Sequence, residues 1–448
     1  MTSLVAEWRE TGKLPAFADH TKLRLLLGTL LYLAQEFPQG IFFAAIPTWL
    51  VANGQSTAVV ASAVAAAGLP WSVKFLAGLF IDRYTWRPMG RRRPWLIGSQ
   101  TAIVITLIIA ALISPEASDT AIVIGVILAL SILTAVQDVA LDALVVDLTP
   151  KAEMGRMNGF MFGGKVIGIA GGTAITSYLL EHYGFSIAML GMIAFFALPA
   201  LSVVLIRERE GEKLLPWTQG TVTQRAVYHE DWRSILVAAL KSLFRREALL
   251  VGLLLLTYGI HQNLNDTTDS LFMIRQMGWS QAEYGSMLAI SNIVMGAFCL
   301  TVGGWFVDRL GPGPIAFWSG AAAMPIMAVY MLDQALWQSD ELYIVWYFAK
   351  GVPLFLFYLA NLVLAMRVTP TATAATSLSV LLSLGTMGFV IASAILPTLE
   401  EIGGYQAMFG ASAALVFVAG LISLLLKTAQ SPSQNSDESV EGEPIAQV

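Results

Sequence analysis

The chain has 448 residues, 56% of them hydrophobic and only 13% charged, with a net charge of −5 and a mean hydropathy of +0.67. A soluble domain carries about 25% charged residues, so this composition excludes one and specifies an integral membrane protein. The single cysteine, Cys299, lies in an apolar run, which excludes an intrachain disulfide framework and a thiolate metal site.

Residues 1–24 are polar and of mixed charge and read as a cytoplasmic N-terminal segment. The apolar run that follows is longer than the core of a cleavable signal, so it reads as a retained transmembrane helix. A spanning helix needs about 20 mostly apolar residues. Twelve segments qualify: 25–50, 57–81, 95–113, 120–148, 158–180, 186–206, 248–272, 283–307, 314–332, 341–366, 373–398 and 404–427. The expected architecture is all-α, with six-helix bundles at 25–206 and 248–427 joined by a linker over 207–247.

Orientation follows from Lys and Arg in short loops. Arg83, Arg87, Arg91, Arg92 and Arg93 follow helix 2, Lys151 and Arg156 follow helix 4, and eight more basic residues lie in the linker. The opposite loops carry only Arg275 among many acids. Both termini are therefore expected in the cytoplasm. Within the linker, 231–247 has apolar residues at helical spacing among basic ones. It reads equally as an amphipathic helix on the membrane surface or as a solvated connection. The last stretch, 428–448, holds four acids and no Lys or Arg and reads as a disordered cytoplasmic tail.

Two turns reveal a duplication. Gly78-Leu-Phe-Ile-Asp82-Arg83 follows helix 2, and Gly304-Trp-Phe-Val-Asp308-Arg309 follows helix 8. Asp308 lies 226 residues after Asp82, and Gly304 lies 226 after Gly78. The first turn continues to Gly90-Arg91-Arg92-Arg93, whereas the second runs into Gly311-Pro312-Gly313-Pro314. Gly78 permits close helix approach. Asp82 can accept hydrogen bonds from the N-terminus of another helix, whose dipole favours an anion.

Six helices, a basic linker, six more helices and the repeated Gly-x-x-x-Asp-Arg turn resemble the major facilitator superfamily. The resemblance implies a fold of two pseudo-symmetric bundles. It also implies a cytoplasmic latch between them, built from Gly78, Asp82, Arg83 and Arg91, with Gly304, Asp308 and Arg309 as its weaker copy. The first turn departs from the common form by five residues, Thr85 to Met89.

Ionisable residues within the membrane are costly and mark a pathway or a partner. Helix 1 carries Gln35, Glu36 and Gln39, helix 2 Lys74, helix 4 Gln137, Asp138 and Asp142, and helix 5 Lys165. Helix 7 carries His261, Asn265, Asp266 and Asp269, and helix 10 Lys350 and Asn361. At 1.5 Å per residue, Glu36 sits about 18 Å from the cytoplasmic end and Lys74, Asp138, Asp142 and Lys165 about 10–16 Å. Equal depth suggests one network, either a proton relay or a structural set of ion pairs joining helices 2, 4 and 5. Glu36 has no lysine at its depth on its own helix and reads as a cavity or proton site. Shifted by 226 residues, Gln35 and Gln39 fall on His261 and Asn265. Matching polar breaks in two halves point to a transporter's binding site. Gln35, Gln39, Gln137, His261, Asn265, Asp266, Lys350 and Asn361 are therefore the expected substrate cavity.

Gly68-Leu-Pro70-Trp71-Ser-Val-Lys74, Gln137-Asp138-Val-Ala-Leu-Asp142 and Gly155-Arg156-Met-Asn158-Gly159 are similar to the branch holding AmpG-type muropeptide permeases and acetyl-CoA transporters. That likeness implies proton-coupled uptake of a small organic solute by a monomer in a bacterial inner membrane. Siderophore or acyl-CoA-type permeases, a drug efflux carrier and a non-transporting assembly factor are the alternatives on the same fold. No cofactor, metal or nucleic-acid partner is expected. Gly159-x4-Gly164-Lys165 lacks the Ser or Thr of a phosphate-binding loop and sits in a membrane helix. With no His-Glu-x-x-His motif either, an enzyme is not expected.

Overall fold

The computed structural model describes residues 16–220 and 231–426. The tail 428–448 and the first 15 residues of the N-terminal segment lie outside that range. Among the described residues the chain forms twelve long helices and a short one in the linker. Helix 1 is Thr21–Gly40, continued through the π-turn Ile41–Ala45 into Ile46–Ala52. Helix 2 is Thr57–Ser72 and Phe75–Arg83, bent by 45° at the break. Helix 3 is Arg93–Ile113 and helix 4 is Thr120–Leu148. Helices 5 and 6 follow one another directly over Met154–Leu205 and part at Gly184, where φ is 80°. Helix 7 is Arg246–Leu271, followed by a π-turn Phe272–Gln276, and helix 8 is Gln281–Phe298 continued through Cys299–Gly303 to Gly304–Leu310. Helix 9 is Pro312–Leu332 and helix 10 is Asp340–Val368. Helices 11 and 12 form Ala374–Leu424, parted at Gly403 and Gly404.

Seven described helices are individually long and apolar enough to span a membrane, and the bent helix 2 makes eight. Two of those eight contain two spans each. Helices 1 and 7 complete the twelve, and their polar breaks are what dilute their hydropathy. Local signals set several starts. Ser280 and Glu283 form a reciprocal capping box at helix 8, and Ser56 and Ser339 cap helices 2 and 10.

Small residues allow the tightest packing, as expected where lipid supplies no hydrophobic drive between helices. Helix 5 lays Gly164, Gly168 and Gly172 against the backbone of helix 1 at Thr29, Leu33 and Phe37. Gly259 of helix 7 meets Gly385 of helix 11 in the same way. The halves join near their basic ends. A β-carbon at Gly78 would lie 2.7 Å from the carbonyl oxygen of Ala375, so only glycine lets helix 2 reach helix 11. Gly304 lies equally close to the Gly155 carbonyl, which brings helix 8 onto helix 5. This junction continues inward through Gly159 against Cys299 and Gly296 against Val166.

Candidate functional site

In the N-terminal half, four helices bring their charges into one chain. Tyr32, Gln35, Glu36 and Gln39 recur at helical spacing on one side of helix 1. Lys74 sits at the bend of helix 2, and its Nζ lies 2.7 Å from Asp138 Oδ2. Gln35 Nε2 donates to the other Asp138 oxygen at 2.6 Å and to Glu36 Oε1 at 3.4 Å. Glu36 is completed by Lys165 Nζ at 3.2 Å and by Gln39 Nε2. The Tyr32 hydroxyl donates to Asp142. The result is a continuous path from Lys165 through Glu36, Gln35 and Asp138 to Lys74. Its acids are buried, but the Lys165 side chain is 35% exposed. Lys165 follows, by one turn, Phe162, whose ring packs on Phe355 and Tyr358 of helix 10, so the path ends where the halves face each other.

The pairing differs from the one that depth suggested. Glu36 is not alone: Lys165 of helix 5 meets it. Lys165 therefore does not join Lys74 around Asp142, which instead holds Tyr32. Equal depth fixes height but not the direction each side chain points around its helix.

Within the membrane, the described residues of the C-terminal half form a single buried ion pair. Lys350 Nζ lies 2.6 Å from both Asp269 oxygens and donates to Asn265 Oδ1 at 2.9 Å. Tyr343 donates to Asp269 Oδ1 at 3.1 Å. Lys350 is 1% exposed, 4.0 Å from the ring centre of Trp346 and within cation–π range of Tyr347 and Phe409. Lys350 is thus already neutralised by Asp269, one turn on from Asn265. Asp266 is exposed and accepts from Asn265 Nδ2 at 3.0 Å. His261 is turned away from this cluster. Its Nδ1 bonds Ser412 at 2.9 Å, tying helix 7 to helix 12. Gln137 and Asn361 are fully buried, and their amides have no hydrogen-bond partner among the described residues.

At the basic face, each repeated aspartate caps a helix of the other half. Asp82 Oδ2 accepts from Thr376 N at 2.8 Å and Thr376 Oγ1 at 2.7 Å, at the start of helix 11. Asp308 accepts from Gly155 N at 2.6 Å and Arg156 N at 3.0 Å, at the start of helix 5. Both caps satisfy orphan helix donors with a carboxylate. Arg91 donates to the carbonyls of Thr371 and Ala372 just before helix 11. Arg367, at the end of helix 10, donates to the Lys151 carbonyl just before helix 5. Arg367 thus supplies in the second copy what the missing trailing arginines cannot.

Two residues expected in the latch lie elsewhere. Arg83 sits over the Tyr84 ring and Arg309 over the Trp305 ring, because each follows the capping aspartate by one residue and so points around the helix from it. The nearer cation to Asp82 is Arg92, at 2.8 Å, with Arg91 at 3.5 Å, and Arg92 also pairs with Asp147 at 2.9 Å. Glu208 of the linker accepts from the backbone N–H groups of Arg91 and Arg92 at 2.9 and 2.7 Å, and from Arg93. Burial pushes the Glu208 carboxyl up, against those hydrogen bonds. Glu212 nearby is pushed up to about 7 by burial and by the charge of Glu208.

Comparison with known proteins gives the same picture at family level. The chain is 25% identical to the anhydromuropeptide permease of Escherichia coli K12 over 250 residues, 54% of this chain and 47% of that one. It is 24% identical to "Putative transporter AmpG 4" of Rickettsia felis over 62% of this chain and 64% of the relative. The chain thus spans from just under half to just under two thirds of the length of these curated relatives. The crystal structure of the human organic anion transporter MFSD10 superposes with a TM-score of 0.65 at 14% identity, covering 89% of this chain and 98% of that one. The sequence pattern of the Major Facilitator Superfamily matches residues 28–332 and 267–447, and the chain belongs to that family of membrane transporters.

Proposed function

We propose that the protein takes up a small organic solute across a bacterial cytoplasmic membrane by proton-coupled alternating access, with a muropeptide-type solute as its substrate. The observation that carries this reading is the hydrogen-bonded path Lys165–Glu36–Gln35–Asp138–Lys74. A buried carboxylate is tolerated while a cation holds it. Protonating Glu36 would release Lys165, whose partly exposed ammonium then offers a site to an anionic group of the solute. Gln35 links that event to the Asp138–Lys74 pair at the bend of helix 2. The positive-inside rule makes the basic face cytoplasmic. The capped state then faces away from the cytoplasm, as a loading state for uptake would. The branch assignment rests on the likeness to muropeptide permeases over about half of the chain.

The substrate is tested by thermal unfolding of the purified protein with an anhydromuropeptide, a ferric siderophore or an acyl-CoA. Stabilisation by the anhydromuropeptide alone is expected. Stabilisation by another of the three would move the substrate assignment, and stabilisation by none would remove it.

A further inference from the structure

The linker contains a helix that faces two ways. Trp232–Leu243 is capped by Asp231, whose side chain accepts from Ser234 N. Ile235, Ala239 and Ser242, at helical spacing, are buried. They press onto the junction of the halves. Ser242 bonds Ser377 in the first turn of helix 11, one residue beyond the Thr376 that Asp82 holds. Trp232 packs edge-on against Phe80 and Tyr84 at the end of helix 2. The linker helix therefore touches both halves beside the first cap.

Its outer side is apolar and basic. Leu236, Val237, Leu240 and Phe244 are 43–71% exposed. Arg233, Lys241, Arg245 and Arg246 are exposed too and make no ion pair among the described residues. They outnumber the neighbouring Asp231 and Glu247. Helix 7 starts at Arg246, so this surface stands at the membrane boundary. Two arginines at a helix start oppose its dipole, which an external anion would offset. Beside them lies a hollow of about 330 Å³ lined by Arg245, Arg246, Glu247, Leu250 and Leu425.

We propose that this surface is a docking site for anionic phospholipid: acyl chains cover the apolar residues, and headgroup phosphates sit at Arg233, Lys241, Arg245 and Arg246. Lipid bound there clamps the linker helix across helices 2 and 11 and favours the capped state. Apolar area together with basic residues is the pattern of an interfacial helix, and each basic residue adds attraction to an anionic leaflet. The proposal does not depend on which solute is carried.

The test is native mass spectrometry of the full chain titrated with phosphatidylglycerol and with phosphatidylcholine. A preference for phosphatidylglycerol is expected. The variant with Arg233→Gln, Lys241→Gln, Arg245→Gln and Arg246→Gln should weaken that binding about a thousandfold while unfolding at the wild-type temperature in phosphatidylcholine nanodiscs. Leu236→Ser with Phe244→Ser should weaken the binding of both lipids. Equal binding of the two lipids by the wild type, or an undiminished preference in the fourfold variant, would overturn the proposal. A preference that emerges only after residues 428–448 are deleted would also overturn it, by assigning the surface to that acidic segment.

Discussion

The two halves contain the same chemistry, a lysine held by a carboxylate within the membrane, in opposite settings. In the N-terminal half the pairs are chained, and the chain ends at Lys165, 35% exposed. In the C-terminal half the Lys350–Asp269 pair is 1% exposed on both residues and enclosed by aromatic rings. A pair that exchanges protons needs access, whereas a pair that fixes helix positions needs exclusion. In the proposed function, exchange belongs to helices 1, 2, 4 and 5. Helices 7 and 10 then serve as a rigid support, with Asp266 as the proposed acid open to solute.

The largest effect should come from the sealed pair. Asp269→Asn strands Lys350 and should cost about 3–5 kcal/mol of stability, read by thermal unfolding. Asp269→Leu with Lys350→Met should recover most of it. If Asp269→Asn is harmless and abolishes only uptake, the contrast between the halves is wrong.

The two caps differ in the charges around them. Asp82→Asn leaves Arg92, fully buried, with Asp147 alone, and should cost about 3 kcal/mol. It should also widen spin-label distances across the basic face and abolish uptake. Asp308→Asn removes a helix cap and a partner of Arg156, 41% exposed, and should cost about 1–2 kcal/mol. Equal losses at both sites would show that the arginines around Asp82 add nothing.

A smaller effect concerns pH. The folded Glu212 carboxyl is raised to about 7, so the stability it contributes is present at low pH and lost as pH rises through that value. Glu208 is shifted in the same direction by burial. The linker should be cleaved faster by protease as pH rises from about 6 to 8, and Glu212→Gln should flatten that dependence. An unchanged profile in the variant would place the effect elsewhere.

Much of this arrangement was legible in the sequence. Apolar run lengths located the spans, and the 226-residue offset revealed the duplication. The face of helix 1 that joins Gln35, Glu36 and Gln39 follows from helical spacing. Pairing was harder, because it depends on rotation about each axis. Lys165 therefore reached Glu36 rather than the Asp142 region. Lys350 read as a cavity residue, and the helix 7 acid that neutralises it is Asp269, one turn beyond Asn265. Arg92 could not be separated from Arg91 and Arg93, since consecutive residues at a helix start point in different directions. Arg367 had no local signal; its role follows from the loop before helix 5 being the counterpart of the loop that Arg91 holds.

In the proposed function, Glu36 couples protons to solute movement. Its direct measurement is solute-induced proton entry into proteoliposomes loaded with a pH-sensitive dye, comparing wild type with Glu36→Gln. The wild type should acidify the lumen when an anhydromuropeptide is added outside. Glu36→Gln should bind the solute with no acidification and no accumulation against a gradient. Acidification and accumulation retained in Glu36→Gln would exclude Glu36 as the coupling residue.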